Sequence, residues 1–428
     1  MPNISHLANG QKIINVPMPG NQTSTVMVMF ATGSKYETAK NNGVAHFLEH
    51  MFFKGALKRP TALAISSELD KIGAEFNAFT SKEYTGYYIK SASEHLPIAL
   101  DVLSDMLLNP ILAQEEIDRE RGVILEEMNM YQDNPMMHME DVWEELLYGD
   151  SPAGWSTIGT KETVGNMNRA DFLDYYQSQY GLSNSHIIIA GSIPDNSQEL
   201  LEQYFGQAKV NIAQAKLAVV ENQTEPGLKL YHKTTDQAHL ALGVRTYAYA
   251  NADEFTMKVL SLILGGSMSS RLFINLRERQ GLAYYIRANI ESHSDSGYLV
   301  TRAGVPVDKL ELAAKTIMLE YQKLIDEPVS SEELDKVKGL IHGRLPLGLE
   351  SSDDNASWYS SQEAILFQQS QPRRGLLSPE ELLAGIDQVT PAEVQTLAKK
   401  IFVEHNLNFA VIGPYESLDN IQPLLHFK

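Results

Sequence analysis

The chain has 428 residues, 43% hydrophobic and 21% charged, so it can bury a core in more than one domain and is not a disordered chain. Its 54 acidic and 35 basic residues give a net charge of −19, which disfavours a phosphate-binding surface, and we expect no nucleic-acid partner. Most of this charge is expected to solvate the exterior, although acidic walls would suit basic or neutral peptides.

The absence of cysteine excludes disulfides, thiolate metal ligands and a cysteine nucleophile. The N-terminal residues lack the charged and apolar regions of a signal peptide. No apolar run approaches the roughly 18 residues that a membrane span needs. We therefore expect a cytoplasmic protein without a membrane partner.

Strand-like and helix-like patterns alternate along the N-terminal half, and this alternation indicates a mixed α/β chain. In chain order the patterns predict a strand at 23–31, helices at 43–54 and 62–72, a hairpin of strands at 74–80 and 84–90, and helices at 96–108 and about 115–132.

A weak internal repeat relates the two halves of the chain. The segment 110–124 recurs at 328–341, and the offset is 217 residues both for the acidic pair and for the glycine of each copy. The pattern lapses over 213–227, where turn-forming residues accumulate. We predict two similar domains, residues 1–215 and 216–428.

The most informative stretch is the sequence H-x-x-E-H at residues 46–50. On a helix, His46 and His50 share a face, so both imidazoles can reach one ion, and Glu49 on the same side can take a proton from water. This order inverts H-E-x-x-H and is typical of the inverted zincins. Taken alone, it also fits two histidines on a helix surface.

A catalytic zinc site needs three protein ligands and an open position, and without cysteine the third must be His, Asp or Glu. The predicted helix at 115–132 offers Glu120, Glu126 and Glu127. Glu120 and Glu127 are about 20° apart around this helix, whereas Glu126 points away. Because acidic residues on a long helix ordinarily form a solvated face, the spacing leaves the third ligand open.

Three segments together resemble one peptidase family. Residues 33–55 and 73–85 are similar to the signature of pitrilysin, insulysin and the mitochondrial processing peptidase β-subunit, and 120–127 is similar to the family's distal glutamate segment. The separation of 77 positions from His50 to Glu127 is the interval that the family uses. The resemblance covers about residues 5–415.

This resemblance implies one Zn²⁺ ion per chain and a zinc-dependent endopeptidase that hydrolyses peptides or unfolded segments. It implies His46, His50 and Glu127 as zinc ligands, Glu49 as the general base and Glu120 as an acid that supports the ligands. The repeat offset carries the three ligands onto Ile263, Ser267 and Arg344. We therefore expect the zinc site in the N-terminal domain and none in the C-terminal domain.

Two further site predictions concern the substrate. Residues 265–284 are also family-like, and the resemblance implies that Arg277 and Tyr284 contact the substrate near the scissile bond and act in catalysis. A helix-capping arginine and a core tyrosine are the alternative. Asn77 and Ala78 lie on a predicted strand that can bind an extended substrate by β-augmentation.

The fold that the resemblance implies is α+β, with two homologous domains that form half of a clamshell. Each domain is a mixed or antiparallel sheet with helices packed on one side. Longer family members have four such domains, so we expect a homodimer whose active sites combine residues of both chains. The alternatives are a heterodimer with a zinc-less paralogue, a non-catalytic assembly subunit, and a processing peptidase dedicated to one precursor.

Overall fold

The computed structural model describes residues 2–208 and 213–427. The chain is α+β, and its strands form a six-stranded and a five-stranded sheet. The strands are β1 (Asn3–His6), β2 (Lys12–Pro17), β3 (Thr23–Phe30), β4 (Glu75–Thr80), β5 (Thr85–Ala92), β6 (Ser185–Gly191), β7 (Gly227–His232), β8 (Gln237–Thr246), β9 (Tyr285–Ser292), β10 (Gly297–Pro306) and β11 (Leu407–Gly413).

The helices include the one predicted at 96–108, which has those bounds. They are α1 (Val44–Phe52), α2 (Ala62–Asp70), α3 (Leu96–Leu108), α4 (Gln114–Asp133), α5 (Pro135–Tyr148), α6 (Lys161–Asn166), α7 (Arg169–Gln179), α8 (Ser197–Phe205), α9 (Glu254–Gly265), α10 (Leu310–Asp326), α11 (Ser331–Leu347), α12 (Ser352–Phe367), α13 (Pro379–Gln388) and α14 (Pro391–Ile401). Within the described residues, none of these helices meets the length and hydropathy of a membrane span.

The chain divides into two compact units that are discontinuous in sequence. The first comprises residues up to 129, 155–217 and 346–370, and the second comprises the remaining residues. The chain passes between the units at five points, one of which, 217–218, is next to the boundary predicted after residue 215. Residues 130–154 and 346–370 each belong to the unit formed mainly by the other half of the chain.

The sheet of the first unit has the strand order β1-β2-β6-β3-β5-β4, with β2 and β6 parallel. One face packs on α1, where the rings of Phe52 and Tyr87 meet edge to face with centroids 5.1 Å apart. The opposite face carries Thr25 of β3, whose hydroxyl lies 2.8 Å from that of Ser352 in α12. Helices therefore cover both faces, and the expectation of helices on one side was incomplete.

The sheet of the second unit repeats this arrangement in the order β7-β11-β8-β10-β9, again with one parallel pair, β7 and β11. One face packs on α10 and α14. The other packs on α5, where Trp143 and Tyr298 belong to one fully buried apolar cluster. Helices α4 and α11, like α5 and α12, begin 217 residues apart, so the structure extends the sequence repeat.

Candidate metal centre

The N-terminus of α1 is held by a buried carboxylate. Glu37 accepts hydrogen bonds from the backbone N–H groups of Gly43 and Ala45, both at 2.8 Å. Burial raises the pKa of Glu37 to about 7, although these hydrogen bonds oppose the rise. Gly43 adopts φ +94°, and a Cβ there would lie 2.6 Å from the carbonyl oxygen of Ile158. The helix therefore begins at a defined point and angle.

Helix α1 buries one face and leaves the motif residues on the other. Phe47, Leu48 and Met51 are buried, whereas His46, Glu49 and His50 are only partly so. This follows from the helical period, which puts residues three or four apart on one side. The two imidazole rings lie together, with centroids 4.9 Å apart.

The structure brings His46, His50 and Glu127 together in the first unit. One ligand atom from each lies within 4.8 Å of the other two. Nε2 of His46 and Nε2 of His50 are each 3.7 Å from a different carboxylate oxygen of Glu127. Zinc bonds of about 2.1 Å at tetrahedral angles would separate ligand atoms by about 3.4 Å. The three side chains therefore fit a zinc ion with little movement.

Glu126 and Glu127 are adjacent in sequence but differ in environment. Glu126 is exposed, while Glu127 is partly buried on the side of α4 that faces the histidines. Glu120, two helical turns earlier on the same side of α4, contacts His50. The helical geometry thus separates Glu126 from Glu120 and Glu127, the two glutamates that the spacing could not distinguish.

His50 is oriented by Glu120, which is itself held by Lys54. The distance from Nδ1 of His50 to Oε1 of Glu120 is 3.0 Å, and Nζ of Lys54 lies 2.7 Å from Oε2. Burial alone would raise the pKa of Glu120, but these two partners outweigh it and lower the pKa. An ionised Glu120 favours the hydrogen on Nδ1 of His50, which leaves the lone pair of Nε2 available to a metal ion.

His46 is in the form that binds metals. Burial, and secondarily the charge of His50, lowers the pKa of His46 to about 3, so its imidazole is neutral at physiological pH. Its Nδ1 is buried and finds no hydrogen-bond partner among the described residues. The two histidines therefore differ, because only His50 has a carboxylate behind it.

Glu49 lies beside the histidines and is held by a residue that the sequence patterns did not identify. The hydroxyl of Thr80, at the end of β4, donates to Oε2 of Glu49 at 2.5 Å. Burial raises the pKa of Glu49, and the hydrogen bond from Thr80 opposes this rise. Thr80 and Lys54 both occur in the family-like segments, which was the available signal for their role.

The predicted substrate residues lie on two different units. Asn77 and Ala78 are in β4, at the edge of the first sheet, where the structure pairs the strand with β5 alone. Arg277 lies in a π-helical segment, Phe273–Arg279, of the second unit. Its guanidinium is 5.7 Å from the centre of the Tyr284 ring. Tyr284 is 76% exposed, so it is not a core residue.

Comparisons with known proteins cover most of the chain. Residues 12–161 match the family model described as insulinase, peptidase family M16, and residues 166–340 match the model described as the peptidase M16 inactive domain. The name of the second model agrees with the sequence repeat, because the positions in the second half that correspond to the three ligands hold neither His nor Glu.

Relatives match over nearly their full length. The uncharacterized zinc protease YmxG of Bacillus subtilis is 34% identical over 95% of this chain and 97% of its own. An uncharacterized zinc protease of Rickettsia felis is 32% identical over 96% and 97%. Among solved structures, a protease from Helicobacter pylori superposes with a TM-score of 0.90 at 22% identity, over 97% of this chain and 99% of its own.

Proposed function

Because the chain belongs to the insulinase family of peptidases, family M16, we propose that it is a zinc-dependent endopeptidase that hydrolyses peptides or unfolded segments. The observation that carries the proposal is the group formed by His46, His50 and Glu127, whose ligand atoms lie within 4.8 Å of one another. Two imidazoles and one carboxylate, with a further carboxylate alongside, form the donor set of a catalytic zinc site.

The residues of this chain divide the chemistry among them. Zinc, when bound by these three side chains, supplies a Lewis acid that polarises a carbonyl and acidifies water. Glu49 acts as the general base, takes the proton from the attacking water and gives it to the leaving amine. Thr80 keeps the Glu49 carboxylate in place. Arg277 and Tyr284 hold the substrate or its developing oxyanion.

The experiment that tests this proposal separates metal binding from folding. The purified protein should bind one zinc per chain and cleave members of a mixed peptide library. A chelator should abolish cleavage and added zinc should restore it. Glu127→Gln should lose zinc, whereas Glu126→Gln, a matched change one residue away, should retain it. A protein that cleaves no peptide when loaded with zinc would support a non-catalytic assembly subunit instead.

For the active assembly we propose a homodimer in which Arg277 and Tyr284 of one chain act at the zinc site of the other. Closed two-fold symmetry gives two such sites. Inactive Glu49→Gln protein mixed with inactive Arg277→Ala/Tyr284→Ala protein should regain activity on subunit exchange, because one site in each mixed dimer is wild type. Mixed dimers that form and remain inactive, or an active monomer, would exclude the composite site.

A further inference from the structure

The second unit contains a cavity of about 820 Å³, a volume typical of ligand sites. It lies on the face of the sheet that carries Tyr298 and Val300, and β9 and the end of α9 also line it. Its lining is basic, although the chain as a whole has a net charge of −19. Five cationic side chains line it, against two acidic ones: Lys258, Arg277, Arg287, Arg302 and Arg344, against Glu140 and Glu291.

Two of these arginines face each other directly. Arg287 of β9 and Arg302 of β10 are register partners across the antiparallel pair, so their side chains project from the same face. Like charges placed directly opposite destabilise a strand pair. Arg287 is exposed and Arg302 is partly buried, so the pair presents two guanidinium groups that an anion could bridge.

The positive charge in the cavity is only partly neutralised by the protein. Arg302 approaches Oε2 of Glu140 only at 3.4 Å, and its Nε is buried without a hydrogen-bond partner. Among the described residues, none forms a hydrogen bond or ion pair with the side chain of Arg287, which is exposed. Lys258 is partly buried, and burial lowers its pKa although the charge of Glu254 opposes this shift.

We propose that this cavity binds an acidic segment of the peptide substrate, whose carboxylates pair with Arg287, Arg302 and Lys258. The inference rests on the proposed peptidase function and adds a substrate class to it. Peptide carboxylates fit better than a polyphosphate because Phe273, Ile286 and Val300 give the same cavity apolar walls, which suit neighbouring side chains. The acidic exterior does not oppose this, since charges beyond about 8 Å are screened at physiological salt.

The test uses binding, so that it does not depend on hydrolysis. Two fluorescein-labelled peptides, identical except that two Glu residues in one are Gln in the other, are titrated against the Glu49→Gln protein and followed by anisotropy. The Glu peptide should bind about tenfold more tightly, as expected for hydrogen bonds to charged groups. The advantage should shrink as salt rises from 50 to 500 mM.

Matched charge reversals then locate the effect. Arg287→Glu should abolish the preference for the Glu peptide, and Arg287→Gln should reduce it. Lys399→Glu, an equal charge change at an exposed position of α14 outside the cavity, should leave the preference intact. Thermal unfolding of each variant checks that it is folded.

Equal binding of the two peptides, or a preference that survives Arg287→Glu in a folded protein, would overturn the proposal. Binding of tripolyphosphate without discrimination between the peptides would also overturn it and would point to a phosphate site. Failure of the proposed peptidase function would appear separately, as an absence of cleavage by the wild-type zinc protein.

Discussion

The most specific test of how the metal centre is built is the substitution Glu120→Gln. Glu120 touches His50, not the expected metal position, and its side chain is only 8% exposed. It holds Nδ1 of His50 at 3.0 Å and Nζ of Lys54 at 2.7 Å. Glutamine keeps the shape and one acceptor oxygen, but it removes the charge and turns an amide N–H₂ toward one of these two partners.

The size of the effect follows from these contacts. A hydrogen bond to a charged group contributes about 1.5–3 kcal/mol, and one between neutral groups about 0.5–1.5 kcal/mol. Replacing the carboxylate therefore weakens the orientation of His50 by roughly 1.4 kcal/mol, which corresponds to about tenfold in zinc affinity. Loss of the contact with Lys54 adds to this, so we expect a total of about 10–100-fold, the range for residues behind a metal-binding histidine.

Competition with a fluorescent zinc chelator measures this affinity directly. Glu126→Gln is the matched control because it makes the same change at an exposed position of the same helix. The zinc affinity of Glu126→Gln should equal that of the wild type. Metal-free samples of both variants should unfold at a temperature within a few degrees of the wild-type value. Equal zinc affinities for Glu120→Gln and Glu126→Gln would refute the assigned role of Glu120.

Three further predictions follow from individual contacts. Thr80→Val removes the hydrogen bond that favours the ionised form of Glu49, so the acid limb of the pH–rate profile should move to higher pH. An unchanged acid limb would show that Thr80 does not influence the ionisation of Glu49. Gly43→Ala should lower the free energy of unfolding by about 1–3 kcal/mol, because Gly43 has a positive φ and lies close to a carbonyl oxygen. Gly122→Ala, in open space within α4, should raise this free energy by about 0.5–1 kcal/mol. Urea denaturation measures both changes, and equal effects of the two substitutions would contradict the prediction. Burial lowers the pKa of His186 from 6.5 to about 3, so the native state binds fewer protons and stability falls as pH drops below about 6.5. His186→Gln should flatten this fall by up to about 1.4 kcal/mol per pH unit, and equal slopes in urea denaturation at pH 5 to 7 would contradict it.

Local patterns in the sequence were sufficient for most elements near the metal centre. The strand predicted at 23–31 is β3, and the helix predicted at about 115–132 is α4, with ends shifted by one residue. Both follow from apolar periodicity and from turn residues, which act within a few residues of chain. The choice between Glu120 and Glu127 came from the family interval, since periodicity set Glu126 apart but placed Glu120 and Glu127 on the same side of the helix.

Features that depend on distant residues were not predictable in this way. Helices α5 and α12 each pack on a sheet built mainly by the other half of the chain. Their periodicity marks an apolar face but does not specify which sheet covers it. The hydroxyl of Thr80 reaches Glu49 from 31 residues away. Likewise, total charge does not reveal that Arg287 and Arg302 come to lie opposite each other.

The central claim is that this chain is a zinc peptidase whose base is Glu49, and the variant Glu49→Gln tests it most directly. Zinc content and cleavage of a quenched fluorescent peptide are measured on the same wild-type and variant preparations. We predict one zinc per chain in both and a rate that falls by roughly 10²–10⁴-fold or more in the variant. A zinc-loaded Glu49→Gln protein that cleaves the peptide at the wild-type rate would contradict the account.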